Sequence, residues 1–335
     1  MVEQRPAGRM GDGLFAVKDM PAGTRVLSDK PFIIVPTDPM QATLAQDFDA
    51  FITAARELDS NLNLPVQLLS DQVRGITHPQ TMEVVQNWFL SHFSLQETRP
   101  SGDFIRKCAE AFTTYRKMAT RLPQQYGKGV FFTYCKINHS CSPNAFSYYD
   151  HTRNLMRVHL VRDVKAGDQI FISYIDSEVL TRAERHARLN LKGHNFVCNC
   201  TLCTNQEVEA IVQRISVLYH SLSNFLVDEG VQAGQINPAF NTPDDIMEAM
   251  ATAEELVALF RHPLVDLQGI DLKWTLNVCS CMVWRLGDVE RAAMYAREEV
   301  ALQVRLWGFE TEHFGQKGNA MKWLRRVEEE RARGW

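Results

Sequence analysis

The sequence predicts an α+β protein, with β structure in two separated stretches and helices filling the rest. Three observations carry this. Short β-rich runs punctuated by glycine and proline occur over residues 11–35 and again over 130–172. Between the two stretches, apolar residues recur at helical spacing. After Cys203 the pattern is helical almost to the last residue.

Gly11-Asp12-Gly13 turns the chain into the apolar run Leu14-Phe15-Ala16-Val17. Pro21-Ala22-Gly23 turns it again before Val26-Leu27 and Phe32-Ile33-Ile34-Val35, so residues 1–39 read as the first part of a β core. From 40 to 128 the spacing of Leu44, Phe48, Phe51 and Ile52, and then of Val84, Val85, Trp88 and Phe89, predicts a helical insertion. Strand character returns at Val130-Phe131-Phe132-Thr133-Tyr134. A hairpin is predicted from Ala145-Phe146-Ser147-Tyr148-Tyr149 and Leu155-Met156-Arg157-Val158-His159-Leu160, and Ile170-Phe171-Ile172 adds a strand, so residues 129–177 complete the core. Glu178 to Leu191 reads as a charged helix, and residues 178–204 as a closing segment that ends in cysteines. Residues 205–335 form a helical domain. Asn237-Pro238 and Asn241-Thr242-Pro243 separate one pair of its helices, and Gly287-Asp288 separates another. In that tail Trp284-Arg285-Leu286-Gly287-Asp288 leads into a helix with small residues at Ala292, Ala293 and Ala296. This resembles a tetratricopeptide helix pair, although no fixed period repeats.

Composition narrows the classes of function. Hydrophobic residues make up 45% and charged residues 23%, as in ordinary globular proteins. The net charge of −4 lacks the basic excess of a general nucleic-acid binder, so no sequence-specific nucleic-acid binding is expected. Met1-Val2-Glu3-Gln4-Arg5 lacks the apolar core of a secretory signal, and no apolar run reaches membrane-spanning length. Residence in the nucleus or cytoplasm is the expectation. In that reducing setting eight cysteines point to metal or catalysis rather than to disulfides.

Cys198-x-Cys200-x-x-Cys203 is spaced to hold three corners of a tetrahedral zinc site, with a fourth ligand supplied from elsewhere. Cys108, Cys135, Cys279 and Cys281 read as packed thiols. A thiol–imidazole catalytic pair of Cys141 and His139 is not expected, because the two side chains are placed on opposite faces of their segment.

Taken in order, Asn138-His139-Ser140-Cys141-Ser142-Pro143-Asn144, then Gly167-Asp168-Gln169-Ile170-Phe171-Ile172-Ser173-Tyr174, then the cysteine triplet resemble the SET-domain protein lysine methyltransferases. The nearest group is the SET-and-MYND type, or fungal-like SET proteins of similar layout. Ser28-Asp29-Lys30-Pro31 and the helix from Arg182 to Leu189 also fit, and the likeness is specific over residues 9–35 and 129–203. It implies a SET-type β core, a post-SET zinc segment, and transfer of methyl from S-adenosylmethionine to a lysine of a histone or other protein. By the same resemblance Tyr174 is catalytic. Gly11, Asp12, Gly13, Asn138, His139 and Phe196 contact the methyl donor, and Cys141 joins Cys198, Cys200 and Cys203 as the fourth ligand of a structural zinc. Partners would be a protein or peptide substrate, with no membrane, and further proteins bound through the helical domain.

The chain departs from the family in three places. The insertion has only Cys108 and cannot contain the paired zinc sites of a MYND finger. His194 stands where relatives have a second channel tyrosine and is placed to line the substrate channel. Lys136 stands where an apolar residue is usual. The alternative implied by these departures is a SET fold of weak or absent activity that serves as an interaction protein.

Overall fold

The computed structural model describes residues 1–37, 42–72, 76–93, 100–123, 126–175, 179–191, 194, 196–224, 242–308 and 320–333. The strands are β1 (Val2–Pro6), β2 (Asp12–Ala16), β3 (Arg25–Asp29), β4 (Ile33–Val35), β5 (Thr120–Arg121), β6 (Lys128–Val130), β7 (Asn138–His139), β8 (Ala145–Asp150), β9 (Leu155–Leu160) and β10 (Gln169–Ile172). The helices of the first half are α1 (Leu44–Leu58), α2 (Asn63–Ser70), α3 (Pro79–His92) and α4 (Gly102–Met118). Those of the second half are α5 (Arg182–Leu191), α6 (Thr201–Thr204), α7 (Gln206–Asn224), α8 (Pro243–Phe260), α9 (Ile270–Arg285), α10 (Val289–Trp307) and α11 (Ala320–Ala332). The chain divides into two compact units, one of residues 1–27, 137–148 and 157–335, the other of residues 28–136 and 149–156.

In the first unit a sheet runs in the order β1-β2-β10-β7. Its inner strands alternate as a one-faced sheet requires, with Leu14 and Ala16 of β2 and Ile170 and Ile172 of β10 buried. β10 runs antiparallel to β2 and parallel to β7, where Phe171 pairs with Asn138 and Ile172 with His139. Asn144 locks this arrangement through both ends of its amide: Nδ2 donates to the Gln169 carbonyl at 2.8 Å, and Oδ1 accepts the Phe171 N–H at 2.8 Å. Strands β3, β9 and β8 form a second sheet in that order. The predicted hairpin is thus present, with Asn154 in the left-handed region at φ 54° in its turn.

The remaining helices of this unit pack in sequence, α7 on α8, α8 on α9, α9 on α10 and α10 on α11. Thr242 caps α8 through a reciprocal pair with Asp245, and Asp288 caps α10 by accepting the Arg291 N–H. Asn237, Pro238 and Asn241, read as a break before α8, lie outside the described residues. The charged helix starts at Arg182 rather than at Glu178, which also lies outside the described residues. Thr181 and Glu184 form its capping box, and Val179 and Leu180 ahead of it are buried.

The second unit holds helices α1–α4 and the small sheet β4-β6-β5. Phe48, Phe51 and Ile52 of α1, Val85, Trp88 and Phe89 of α3, and Phe112 and Tyr115 of α4 form its core. Ring contacts such as Phe48–Phe112 at 5.0 Å make that core aromatic-rich. The strand expected over Val130 to Tyr134 stops at Val130. The Asp29 carboxylate accepts both the Thr133 and Tyr134 N–H groups, at 2.9 and 2.8 Å, and turns the chain into a 3-10 segment, Tyr134–Lys136. Lys136 there donates to Gln72 at 3.5 Å. Gly127 is obligatory: φ is +75°, and an added Cβ would run into the Val35 carbonyl.

Candidate active site and thiol cluster

The strand β7 places two chemically distinct residues in a row, with Cys141 two residues beyond His139. Asn138 donates through Nδ2 to the Asp12 carbonyl at 2.8 Å, which ties β7 to the start of β2. There Gly11 has φ 79° and ψ −127°, a conformation open to glycine, and an added Cβ on Gly13 would collide with the Gln169 amide. Asp12 itself accepts from Gln4 at 3.0 Å.

Next along β7, His139 is buried at 6% exposure and uses both ring nitrogens. Nδ1 takes the Tyr174 backbone N–H at 3.0 Å, and Nε2 meets the Cys141 sulfur at 3.2 Å. A backbone N–H can only donate, so Nδ1 is the unprotonated nitrogen and the Nε2–H points at the sulfur. Burial pushes the imidazole down to about 4, which keeps it neutral at pH 7. The expectation that His139 and Cys141 face apart is therefore overturned. Residues i and i+2 of an extended chain share a face, and the ladder continues past β7 through the Ser140 N–H to the Ile172 carbonyl at 3.0 Å. The pair is still not a nucleophile and its base, because the Cys141 sulfur is buried among three others.

Those others are Cys198, Cys200 and Cys203. All four sulfurs lie within 4.8 Å of one another, with Cys141 3.8 Å from Cys198 and 3.6 Å from Cys203. Cys200 is the N-cap of α6, and one helical turn returns Cys203 beside it through the Cys203 N–H to the Cys200 carbonyl at 2.9 Å. A tetrahedral zinc with bonds of ~2.3 Å needs sulfurs ~3.8 Å apart, so the donor set fits. Hydrogen bonding divides the thiols. The Cys198 contact holds the Cys141 proton well above the usual thiol range, whereas the Cys141 contact pulls Cys203 down to about 6 and Cys200 lower still.

Tyr174, half-buried after β10, donates its hydroxyl to the Ile137 carbonyl at 2.6 Å. Around it stand the rings of His194 at 4.7 Å and His139 at 5.3 Å. Phe196 lies 5.9 Å from His139 and 6.3 Å from His194, with 40% of its surface exposed. A single neutral histidine on β7 thus links the Tyr174 backbone, the aromatic wall and the four-sulfur cluster.

Residues 11–175 match the SET domain family. That stretch of the chain is a SET domain. Among similar proteins are the histone-lysine N-methyltransferase set5 of Schizosaccharomyces pombe, 24% identical over 60% of this chain and 50% of its own length, and human histone-lysine N-methyltransferase SMYD3, 26% identical over 46% and 34%. Human protein-lysine N-trimethyltransferase SMYD5 is 38% identical over 23% of this chain and 19% of its own length. The matches therefore span half or less of these relatives.

Every site residue singled out from the sequence of this SET domain lies in the first unit, and the fold brings Gly11–Gly13 to Asn138, Tyr174 to His139 and His194, and Phe196 to the same two histidines. Sequence reasoning missed Arg185, the largest of the fully buried side chains, which reaches Cys203. It also missed the Tyr174–Ile137 bond. A charged helix with one fully buried arginine carries no signal of that burial in its own pattern.

His139 gives the SET domain a pH signature once metal is stripped. Its folded pKa, about 4, lies below the ordinary 6.5, so the unfolded chain binds more protons between these values. The stability it confers is complete above pH 6.5 and is lost as pH falls through 4, a difference of about 3 kcal/mol. Denaturant unfolding of chelator-treated protein at pH 7 and pH 4.5 is expected to show a smaller loss in His139→Gln than in wild type. An equal loss in both would contradict the buried neutral histidine.

Proposed function

We propose that this SET domain transfers a methyl group from S-adenosylmethionine to the side-chain amine of a protein lysine, with Tyr174 at the reacting centre and the four cysteines holding a structural zinc. The observation that carries the reading is the Tyr174 hydroxyl, pinned to a backbone carbonyl inside an aromatic wall. The names of the similar proteins, all lysine methyltransferases, support it.

The donor supplies an electrophilic methyl on a cationic sulfur. This chain's residues must bind it, take the amine out of water and align the two. The Tyr174 hydrogen is donated to Ile137, so its oxygen can act toward a substrate only as an acceptor. That oxygen suits an amine N–H and the weak C–H donors of an activated methyl. A lysine has a pKa of ~10.4 in water, and burial against the Tyr174 and His194 rings disfavours its ammonium form. The same rings accommodate the charge that grows on nitrogen as the bond forms. Asn138 and the backbone at Gly11, Asp12 and Gly13 would hold the amino-acid end of the donor. Phe196, with its exposed face, would cover the adenine, and His139 would hold the Tyr174 backbone in register. The zinc would clamp the Cys198–Cys203 segment, and Phe196 with it, onto β7.

Calorimetric titration of S-adenosylmethionine into wild type and Asn138→Ala tests the donor site. The substitution removes the tie to Asp12 as well as the amide itself, and at least a tenfold loss of affinity is expected at little change in Tm. Saturable binding that Asn138→Ala leaves intact would count against the assignment.

A further inference from the structure

We propose that Arg185 is the buried counter-ion of the four-cysteine cluster and so sets its metal affinity. The proposal rests on the reading of that cluster as a metal site. Four thiolates and a divalent zinc leave two negative charges, and charge buried without a partner is costly. His139 meets the cluster at Cys141, through Nε2 at 3.2 Å, a different sulfur from the Cys203 that Arg185 contacts. Arg182 bonds the Cys203 carbonyl at 3.1 Å and not a sulfur.

Arg185 has the required placement. It is 0% exposed. Its Nη1 donates to the Leu180 carbonyl at 2.6 Å, and its Nη2 donates to the Leu202 carbonyl at 3.0 Å and to the Cys203 sulfur at 3.7 Å. One carbonyl just ahead of α5 and one inside the cysteine segment thus aim a permanently charged fork at one corner of the cluster. Glu209, 3.6 Å away, shares that charge and holds the guanidinium when the sulfurs are protonated. Binding a metal turns neutral thiols into a dianionic centre, so a fixed cation beside it stabilises the loaded form over the empty one.

The test measures zinc affinity by chelator competition, and the sulfur-to-metal charge-transfer band of the cobalt(II)-loaded protein, in wild type, Arg185→Met, Arg185→Lys and Glu209→Gln. Loss of an outer-shell partner weakens a metal site by about 10- to 100-fold, and that loss is expected for Arg185→Met. Its cobalt band moves to longer wavelength because the sulfur electrons are no longer held by the cation. Arg185→Lys keeps the charge and falls between. Glu209→Gln releases the arginine to the sulfurs and tightens zinc, a change of opposite sign that a merely packed arginine would not produce. Should Arg185→Met fail to fold, Arg185→Lys and Glu209→Gln carry the test. Wild type holding one zinc, with affinity and band unmoved in every folded variant, overturns the role of Arg185 alone. Wild type holding no zinc overturns the metal reading as well.

Discussion

Tyr174→Phe is expected to abolish methyl transfer, by about 100-fold or more in kcat, while leaving the protein folded and its S-adenosylmethionine affinity within a few-fold of wild type. The substitution deletes one oxygen. Structurally that oxygen makes a hydrogen bond of 2.6 Å to the Ile137 carbonyl, whose loss costs about 1 kcal/mol. Chemically it is the polar atom that orients amine and methyl, and misplacing a reacting pair by an ångström costs about that factor. Single-turnover methylation, thermal unfolding and donor titration on the same preparation separate the two effects. A variant that retains most of its rate would remove Tyr174 from the reacting centre. The aromatic wall of His139, His194 and Phe196 survives the change, so a loss of rate would report the hydroxyl alone.

Metal removal has the second large effect. The cluster joins Cys141, just after β7, to residues more than fifty positions on, by sulfur contacts of 3.8 Å to Cys198 and 3.6 Å to Cys203, with Cys200 within 4.8 Å. Without a metal these contacts are weak thiol hydrogen bonds. With one they are bonds whose formation contributes to folding outright. Stripping zinc with a chelator, or replacing Cys200 by serine, is therefore expected to lower stability by several kcal/mol, on the order of 10 °C in Tm. Donor affinity should fall with it, because Phe196 stands two residues before Cys198. Metal analysis, calorimetry and thermal unfolding before and after chelation measure this. A Tm indifferent to the chelator, in protein shown to have lost its metal, would mean that the cysteines merely pack.

The arrangement of the candidate site was largely legible in the chain, because it resides in short motifs whose spacing is itself the geometry. Cys200 and Cys203 are one helical turn apart, and Tyr174 closes a strand whose alternation buries Ile170 and Ile172. The helical insertion and tail were legible for the same reason, since Phe48, Phe51, Val85 and Phe89 repeat at the period that buries them. What escaped depends on partners distant in sequence. β7 is two residues long and exists because β10 lies beside it. β1 reads as polar, having one half-buried and four exposed residues, and pairs by register with β2. The run from Phe131 to Tyr134 looks like a strand until Asp29 takes two of its amides. Arg185 sits in a helix rich in charge, and only the fold decides which arginine is sealed inside. The side-by-side placement of His139 and Cys141 was available from strand geometry, and the expectation misjudged it.

The activity itself is tested most directly by incubating the zinc-loaded protein with S-adenosylmethionine labelled on its methyl group and a whole-protein extract, then hydrolysing the protein fraction to amino acids. Label recovered as N-methyl-lysine in wild type and lost in Tyr174→Phe is the predicted result. Well-folded, donor-binding protein that leaves no label in methyl-lysine would contradict the account and favour a SET fold retained as a binding scaffold.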